Sequence, residues 1–356
     1  MVEPEGANTA LKRKTLSDQR RSGRAIFRRL IFNRHDRIRV GFRMVLFAIP
    51  FAVALKTLFT VFPGNRALAA MLPPAVRPLY LGIAAARLLI CTVVATLLCI
   101  RFIDRRPFQA TGLSFYPRWG QHLVYGLFLG ALLNSLPTIL LIAFRQVNLS
   151  FDPSQIGPLF QVMILYVLSD LLVALNEEYL FRGYFFQLSI EGVGSWISAT
   201  AIGLLFGLAH YKNPNGTIMG ACGTGAWGVF LSYAYIKTRA LWLPVGIHWS
   251  ANFFEGVVWG MPTSGHTYVR TLFASKLVGS SLLTGGVFGP EAGLFTPLSV
   301  AIGFVIVRFS RRLRPAETNQ GYWDRYIRPH RPTVIVSEGK AVADRTGGTE
   351  HLVGSP

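Results

Sequence analysis

The sequence predicts an all-α, polytopic membrane protein with about eight transmembrane helices, and three observations carry that prediction. Hydrophobic residues make up 51% of the 356-residue chain and charged residues only 15%, against roughly 25% charged in soluble domains. The apolar residues gather into runs of the ~20 residues that a helix needs to cross a bilayer. The formal charge of +19 is concentrated in the two tails and the short connections, the distribution that positive-inside anchoring produces. A nucleic-acid partner would require a recognition fold or motif as well, and the sequence has none.

Cysteine adds little. Cys91, Cys99 and Cys222 form no CxxC pair, which argues against a disulfide framework and a zinc finger. The first apolar run begins near Val40 behind a long basic arm, so it reads as a retained span and not a cleaved signal.

In chain order, residues 1–39 form a basic cytoplasmic arm, with Arg20, Arg21, Arg24, Arg28, Arg29, Arg34, Arg37 and Arg39 ahead of the first span. The expected role of that arm is contact with anionic lipid. The transmembrane domain covers 40–314. Span one runs from about Val40 to Phe62, stopped by Pro63-Gly64. Span two runs from about Leu79 to Ile100, stopped by Arg101, Asp104, Arg105 and Arg106. Span three covers about Leu123 to Phe144, and span four starts near Pro158. Span five covers about Trp196 to Ala209, ahead of the turn signal Asn213-Pro214-Asn215-Gly216. Span six covers about Ile218 to Ile236 and span seven about Leu241 to Trp259. Glycines and Pro290 break the next stretch, so a loop or re-entrant segment precedes a last span from about Leu294 to Phe309. A polar tail fills 315–356. With eight spans both termini lie in the cytoplasm, and the basic connections then fall on the cytoplasmic side. A cell (plasma) membrane is the expected location. The residues carry no signal of oligomeric state.

Charges inside the runs need reasons, because each costs a few kcal/mol or more at the centre of a membrane helix. Lys56 and Arg87 can reach the interface along their aliphatic stems or pair. Asp170 is expected to pair with one of them or to cap a polar interior, and Glu255 to face water near the end of span seven. The densest group is Asn176-Glu177-Glu178-Tyr179-Leu180-Phe181-Arg182, at the end of an apolar run from Leu159. Glu178 and Arg182 are four residues apart and share a helix face, so they can form a salt bridge. Glu177 projects about 100° away and is free for another partner.

Phe206 and His210 repeat the four-residue spacing in span five, and His248 and Asn252 do so in span seven. A lone histidine in an apolar run is more often a structural hydrogen-bonding group than a ligand. Two histidines, two glutamates and an asparagine in neighbouring runs change that balance. A hairpin turning near Val193 sets Glu177 and His210 at similar depth, since each lies about 16 or 17 residues from the turn at about 1.5 Å per residue. Such a set supports two kinds of hydrolysis. A carboxylate beside a histidine can deprotonate water while a second histidine and an amide donate to an oxyanion. Alternatively, Glu177, His210 and His248 are candidate ligands for a divalent metal such as zinc. HExxH, GxSxG and P-loop motifs are absent.

Glu177-Glu178-Tyr179-Leu180-Phe181-Arg182 resembles the EExxxR motif of the CPBP (CAAX protease and bacteriocin-processing) family of intramembrane proteases. Phe206 to His210 resembles its FxxxH motif, and His248 to Asn252 its HxxxN motif, preceded by Leu241-Trp242-Leu243-Pro244. The likeness covers roughly 158–260. It implies a helical membrane fold with a cavity open to the cytoplasm. Glu177 would activate water with His210, Glu178 would be fixed by Arg182, and His248 with Asn252 would stabilise the oxyanion. The implied partners are the lipid bilayer and a peptide or membrane-protein substrate, which the best-known members cleave after a prenylated cysteine. The family has been described both as metal-dependent and as glutamate-type. Two other readings rank below an endopeptidase. One is a non-catalytic scaffold or bacteriocin-immunity-like protein, against which stands the completeness of the motif residues. The other is an ion-coupled transporter, against which stands the lack of an internal repeat.

Overall fold

A computed structural model describes residues 28–33, 37–61, 73, 77–317 and 323. Arg20, Arg21, Arg24, Arg34, the stop at Pro63-Gly64 and nearly all of the polar tail lie outside the described residues. The described chain is mostly helical. Helix α1 spans Val40–Val61 and α2 spans Arg77–Leu98, continued as a π-helical stretch over Cys99–Asp104. Helix α3 spans Trp119–Ala143, α4 Ile156–Arg182, α5 Tyr184–Val193 and α6 Ser195–His210. Helix α7 spans Ile218–Thr238, α8 Trp242–Asn252 with a π-helical continuation over Phe253–Val258, and α9 Thr296–Phe309. Among the described residues, four segments are long and apolar enough to cross a membrane: Val40–Val61, Tyr80–Asp104, Trp119–Ala143 and Pro153–Val193. Ser195–His210 and Thr296–Phe309 are shorter apolar helices. The chain is a multi-pass membrane protein.

Three differences from the sequence-based expectation have physical causes. First, the fold is not purely α. Strand β1 (Val147–Phe151) pairs antiparallel with β2 (Phe273–Leu277), Val147 opposite Leu277 and Phe151 opposite Phe273. Strands of five residues that meet only across more than a hundred residues leave no local signature. Second, span four does not run unbroken to the turn at Val193. Gly183 leaves helical geometry at φ −78° and ψ −134°, which ends α4 at Arg182 and starts α5. Gly194, at φ +85°, then makes the turn into α6. Third, Arg37 does not stand free for lipid. It pairs with Asp104 at 3.4 Å and Glu191 at 3.2 Å. Buried Arg43 meets the same two carboxylates at 2.7 and 2.8 Å, so this cluster ties α1 to the end of α2 and to α5.

Helix α3 packs on α8, α6 on α7, and α4 on both α2 and α8. Small residues set the first two distances. A Cβ at Gly130 would stand 2.1 Å from the Ile247 carbonyl oxygen, and one at Gly207 2.1 Å from that of Ala221. Both glycines close a GxxxG step (Gly126–Gly130 and Gly203–Gly207), the pattern that lets helix backbones touch where lipid offers no hydrophobic drive. Gly246 faces α3 just before His248, and Gly207 precedes His210 by one turn. Close approach therefore fixes the two histidine-bearing helices.

Candidate active site

The last two turns of α4, the end of α6 and the middle of α8 meet at a cavity of about 260 Å³. Because neighbouring helix positions diverge by about 100°, the adjacent carboxylates of α4 enter different surroundings. Glu178 is fully buried beside Arg182, whose Nη1 donates to its Oε1 at 3.0 Å. Arg182 Nη2 donates to the Gly228 carbonyl at 2.9 Å, and the guanidinium lies 4.5 Å from the centre of the Phe206 ring. Glu177 instead lines the cavity with its side chain 22% exposed. Its Oε2 stands 3.7 Å from His210 Nε2 and 3.7 Å from His248 Nε2, and has no hydrogen-bond partner among the described residues.

The other ring nitrogens settle which atoms face the cavity. His210 Nδ1 lies 2.8 Å from the Phe206 carbonyl oxygen, which only accepts, so Nδ1 carries a proton. A neutral His210 therefore presents a lone pair at Nε2. His248 Nδ1 lies 2.8 Å from Glu178 Oε1 and is likewise the donor toward a carboxylate. Asn252 lines the same cavity one helical turn beyond His248. The structure thus gathers Glu177, His210, His248 and Asn252 around one space, with Glu178 and Arg182 behind His248.

Imidazole nitrogens and a carboxylate are donor types that a divalent ion takes. Among the described residues, however, no group of three or more His, Cys, Asp or Glu side chains is arranged to hold an ion. No step below runs through a metal.

The segment after α8 adds polar groups that motif spacing did not announce. Asp170 pairs with neither Lys56 nor Arg87: its Oδ1 accepts from the Tyr268 hydroxyl. Arg87 instead lies 4.0 Å over the Phe59 ring. Glu255 does not face water. It is completely buried and accepts from Asn134 Nδ2 at 3.3 Å. Glu291 Oε2 accepts from the Ser264 backbone N–H at 2.8 Å. Asn134, His266, Tyr268 and Glu291 all line the cavity. Burial pulls the His266 pKa below its usual value, and His210 adds in the same direction. Asn134, a polar side chain inside an apolar run, carries a sequence signal of the same kind as Asp170 and Glu255. The loop residues had none.

Residues 159–254 match the family model described as type II CAAX prenyl endopeptidase Rce1-like. The matched stretch includes all six side chains gathered above. No curated protein and no solved structure matches the chain.

Proposed function

We propose that the chain, whose residues 159–254 match the Rce1-like family model, is an intramembrane endopeptidase of the CPBP type that hydrolyses a peptide bond with activated water. The observation that carries this reading is the placement of Glu177 Oε2 at 3.7 Å from both His210 Nε2 and His248 Nε2, in a cavity among apolar helices. The gap between the two acceptor atoms, Glu177 Oε2 and His210 Nε2, suits a shared water. Glu177 takes the proton of that water, His210 Nε2 orients it through its lone pair, and the hydroxide attacks the substrate carbonyl carbon. The proton then passes to the leaving amine. His248 donates to the oxyanion from a protonated Nε2, as the imidazolium whose Nδ1–H faces the Glu178 carboxylate, and the Asn252 amide adds a second donor. Arg182 holds Glu178 in place and so sets the orientation of His248.

Eight spans belong to the same reading: α1, α2, α3, α4, α6, α7, α8 with its π-helical continuation, and α9. So do a basic arm at 1–39, a transmembrane domain at 40–314 with its catalytic core at 158–260, a tail at 315–356, cytoplasmic termini and a plasma-membrane location. The substrate is a peptide or membrane protein.

The test is cleavage of a peptide library by the purified protein and by Glu177→Gln, with and without chelator. Loss of activity by at least ~10²-fold in the variant, at unchanged thermal stability, is expected of a general base. Undiminished cleavage by Glu177→Gln removes Glu177 from the chemistry. Activity lost on chelation and restored by zinc would replace the metal-free scheme.

A further inference from the structure

Where α9 ends and α3 begins, a groove of about 1130 Å³ opens on the surface, away from the cavity described above. Four arginines line it: Arg118 just before α3, and Arg311, Arg312 and Arg314 just after α9. None of the four has a carboxylate partner among the described residues. These arginines come from segments nearly two hundred residues apart, brought together because α9 packs along α3.

A buried side chain supplies the second observation. His122 lines the groove and is 1% exposed. Its Nδ1 is bonded to the Tyr116 hydroxyl, while its Nε2 is buried without a hydrogen-bond partner among the described residues. In the tautomer whose Nδ1 accepts from the Tyr116 hydroxyl, the ring proton sits on Nε2. A buried N–H without an acceptor is unfavourable, so in that tautomer the position favours a ligand with an acceptor oxygen.

Two features place the groove at the membrane boundary. Phe115, Trp119 and Trp242 form an aromatic cluster beside it, with ring centres 4.9 to 5.2 Å apart, and such aromatics anchor at headgroup level. Below the basic mouth, Val124 and Phe128 sit one turn apart on α3 and are both strongly exposed, giving an apolar track where acyl chains lie. In the eight-span reading this end faces the cytoplasm, the side on which anionic lipid is enriched.

We propose that the groove binds one anionic phospholipid, its phosphate held by the arginines and His122 Nε2 and an acyl chain laid along Val124 and Phe128. Guanidinium groups pair with phosphate oxygens two at a time, and the orphaned histidine donor distinguishes a formed site from a generally basic surface.

The experiment is native mass spectrometry of the full chain in neutral detergent, titrated with phosphatidylglycerol, phosphatidylcholine or inorganic phosphate. Wild type is compared with Arg311→Gln/Arg312→Gln and with a charge-matched control, Arg101→Gln/Arg105→Gln, outside the groove. Arg311 and Arg312 are exposed, so the fold should survive their replacement. The expected result is one tightly held phosphatidylglycerol, roughly 30-fold weaker in the groove variant and unchanged in the control. That is the fold-change of about 1 kcal/mol per arginine near a headgroup. Equal weakening in the control would reduce the effect to overall charge and overturn the proposal. Equal binding of phosphatidylcholine would also overturn it. So would inorganic phosphate that binds as tightly as the lipid, since the acyl track would then contribute nothing.

Discussion

The pairing of Glu178 with Arg182 makes a quantitative prediction through a double-mutant cycle. Both side chains are completely buried and 3.0 Å apart. Arg182→Met keeps much of the volume but leaves the Glu178 carboxylate in an apolar setting with His248 Nδ1 as its remaining close partner. Glu178→Gln leaves the guanidinium with the Gly228 carbonyl and, at 3.4 Å, the Ser232 hydroxyl. Stranding one member of a buried ion pair costs about 3–5 kcal/mol, whereas replacing both by neutral groups is often close to neutral. Each single variant should therefore lose about 3–5 kcal/mol, and the double variant should lose less than their sum by at least ~2 kcal/mol. The assay is reversible denaturant unfolding in mixed micelles followed by circular dichroism. Additivity within ~0.5 kcal/mol would show that the two charges do not rely on each other. The assignment of Glu178 as the fixed carboxylate would then fail, along with the argument that it orients His248.

Other substitutions test packing and the wall of the cavity. Gly130→Ala drives a methyl group to 2.1 Å from the Ile247 carbonyl oxygen and should cost about 1–3 kcal/mol, read as a fall in melting temperature. Gly41→Ala, in α1 with nothing within 4 Å of the added carbon, should instead raise stability by up to ~1 kcal/mol, and a fall there would mean that α1 packs differently. Tyr268→Phe takes the hydroxyl from buried Asp170 and should cost about 1–3 kcal/mol. An unchanged melting temperature would show that this bond does not fasten the loop over the cavity.

What could be read from the sequence divides along physical lines. Spans one, two and three were legible to within a few residues because a bilayer demands long unbroken apolar runs, and helices stand where spans five and six were expected, at Ser195–His210 and Ile218–Thr238. The clustering of the candidate residues was legible in part because Glu178 and Arg182, Phe206 and His210, and His248 and Asn252 stand four apart, a spacing that is spatial adjacency on a helix. Glu255 and Arg37 were placed with the wrong surroundings, and of the two settings expected for Asp170 only the polar interior was found, all for one shared reason. Their partners, Tyr268, Asn134 and the pair Asp104 and Glu191, sit on distant elements, and periodicity reports a residue's own face but not what arrives against it. The small sheet was invisible for the same reason, since β1 acquires its partner only when the loop before α9 folds back.

The two adjacent glutamates show how one helix supplies two electrostatic environments. Residues 177 and 178 differ by one step of the helix, about 100°, and that rotation is enough to separate a neutralised carboxylate from one with no cation in hydrogen-bonding contact. Glu178 points at Arg182, Gly228 and Ser232 lie behind the guanidinium, and nothing polar of the cavity reaches it except through His248. Glu177 points at two imidazole edges whose other nitrogens are already committed, one to a carbonyl and one to Glu178. The proposed base needs access to the reacting proton, and of the two carboxylates Glu177 is the one that lines the cavity and has no guanidinium beside it. An orienting group needs burial and fixed contacts, and only Glu178 has those. The packing behind Glu178 is close: a carbon added at Gly228 would stand 3.3 Å from Arg182 Nη2 and 3.0 Å from Gly203.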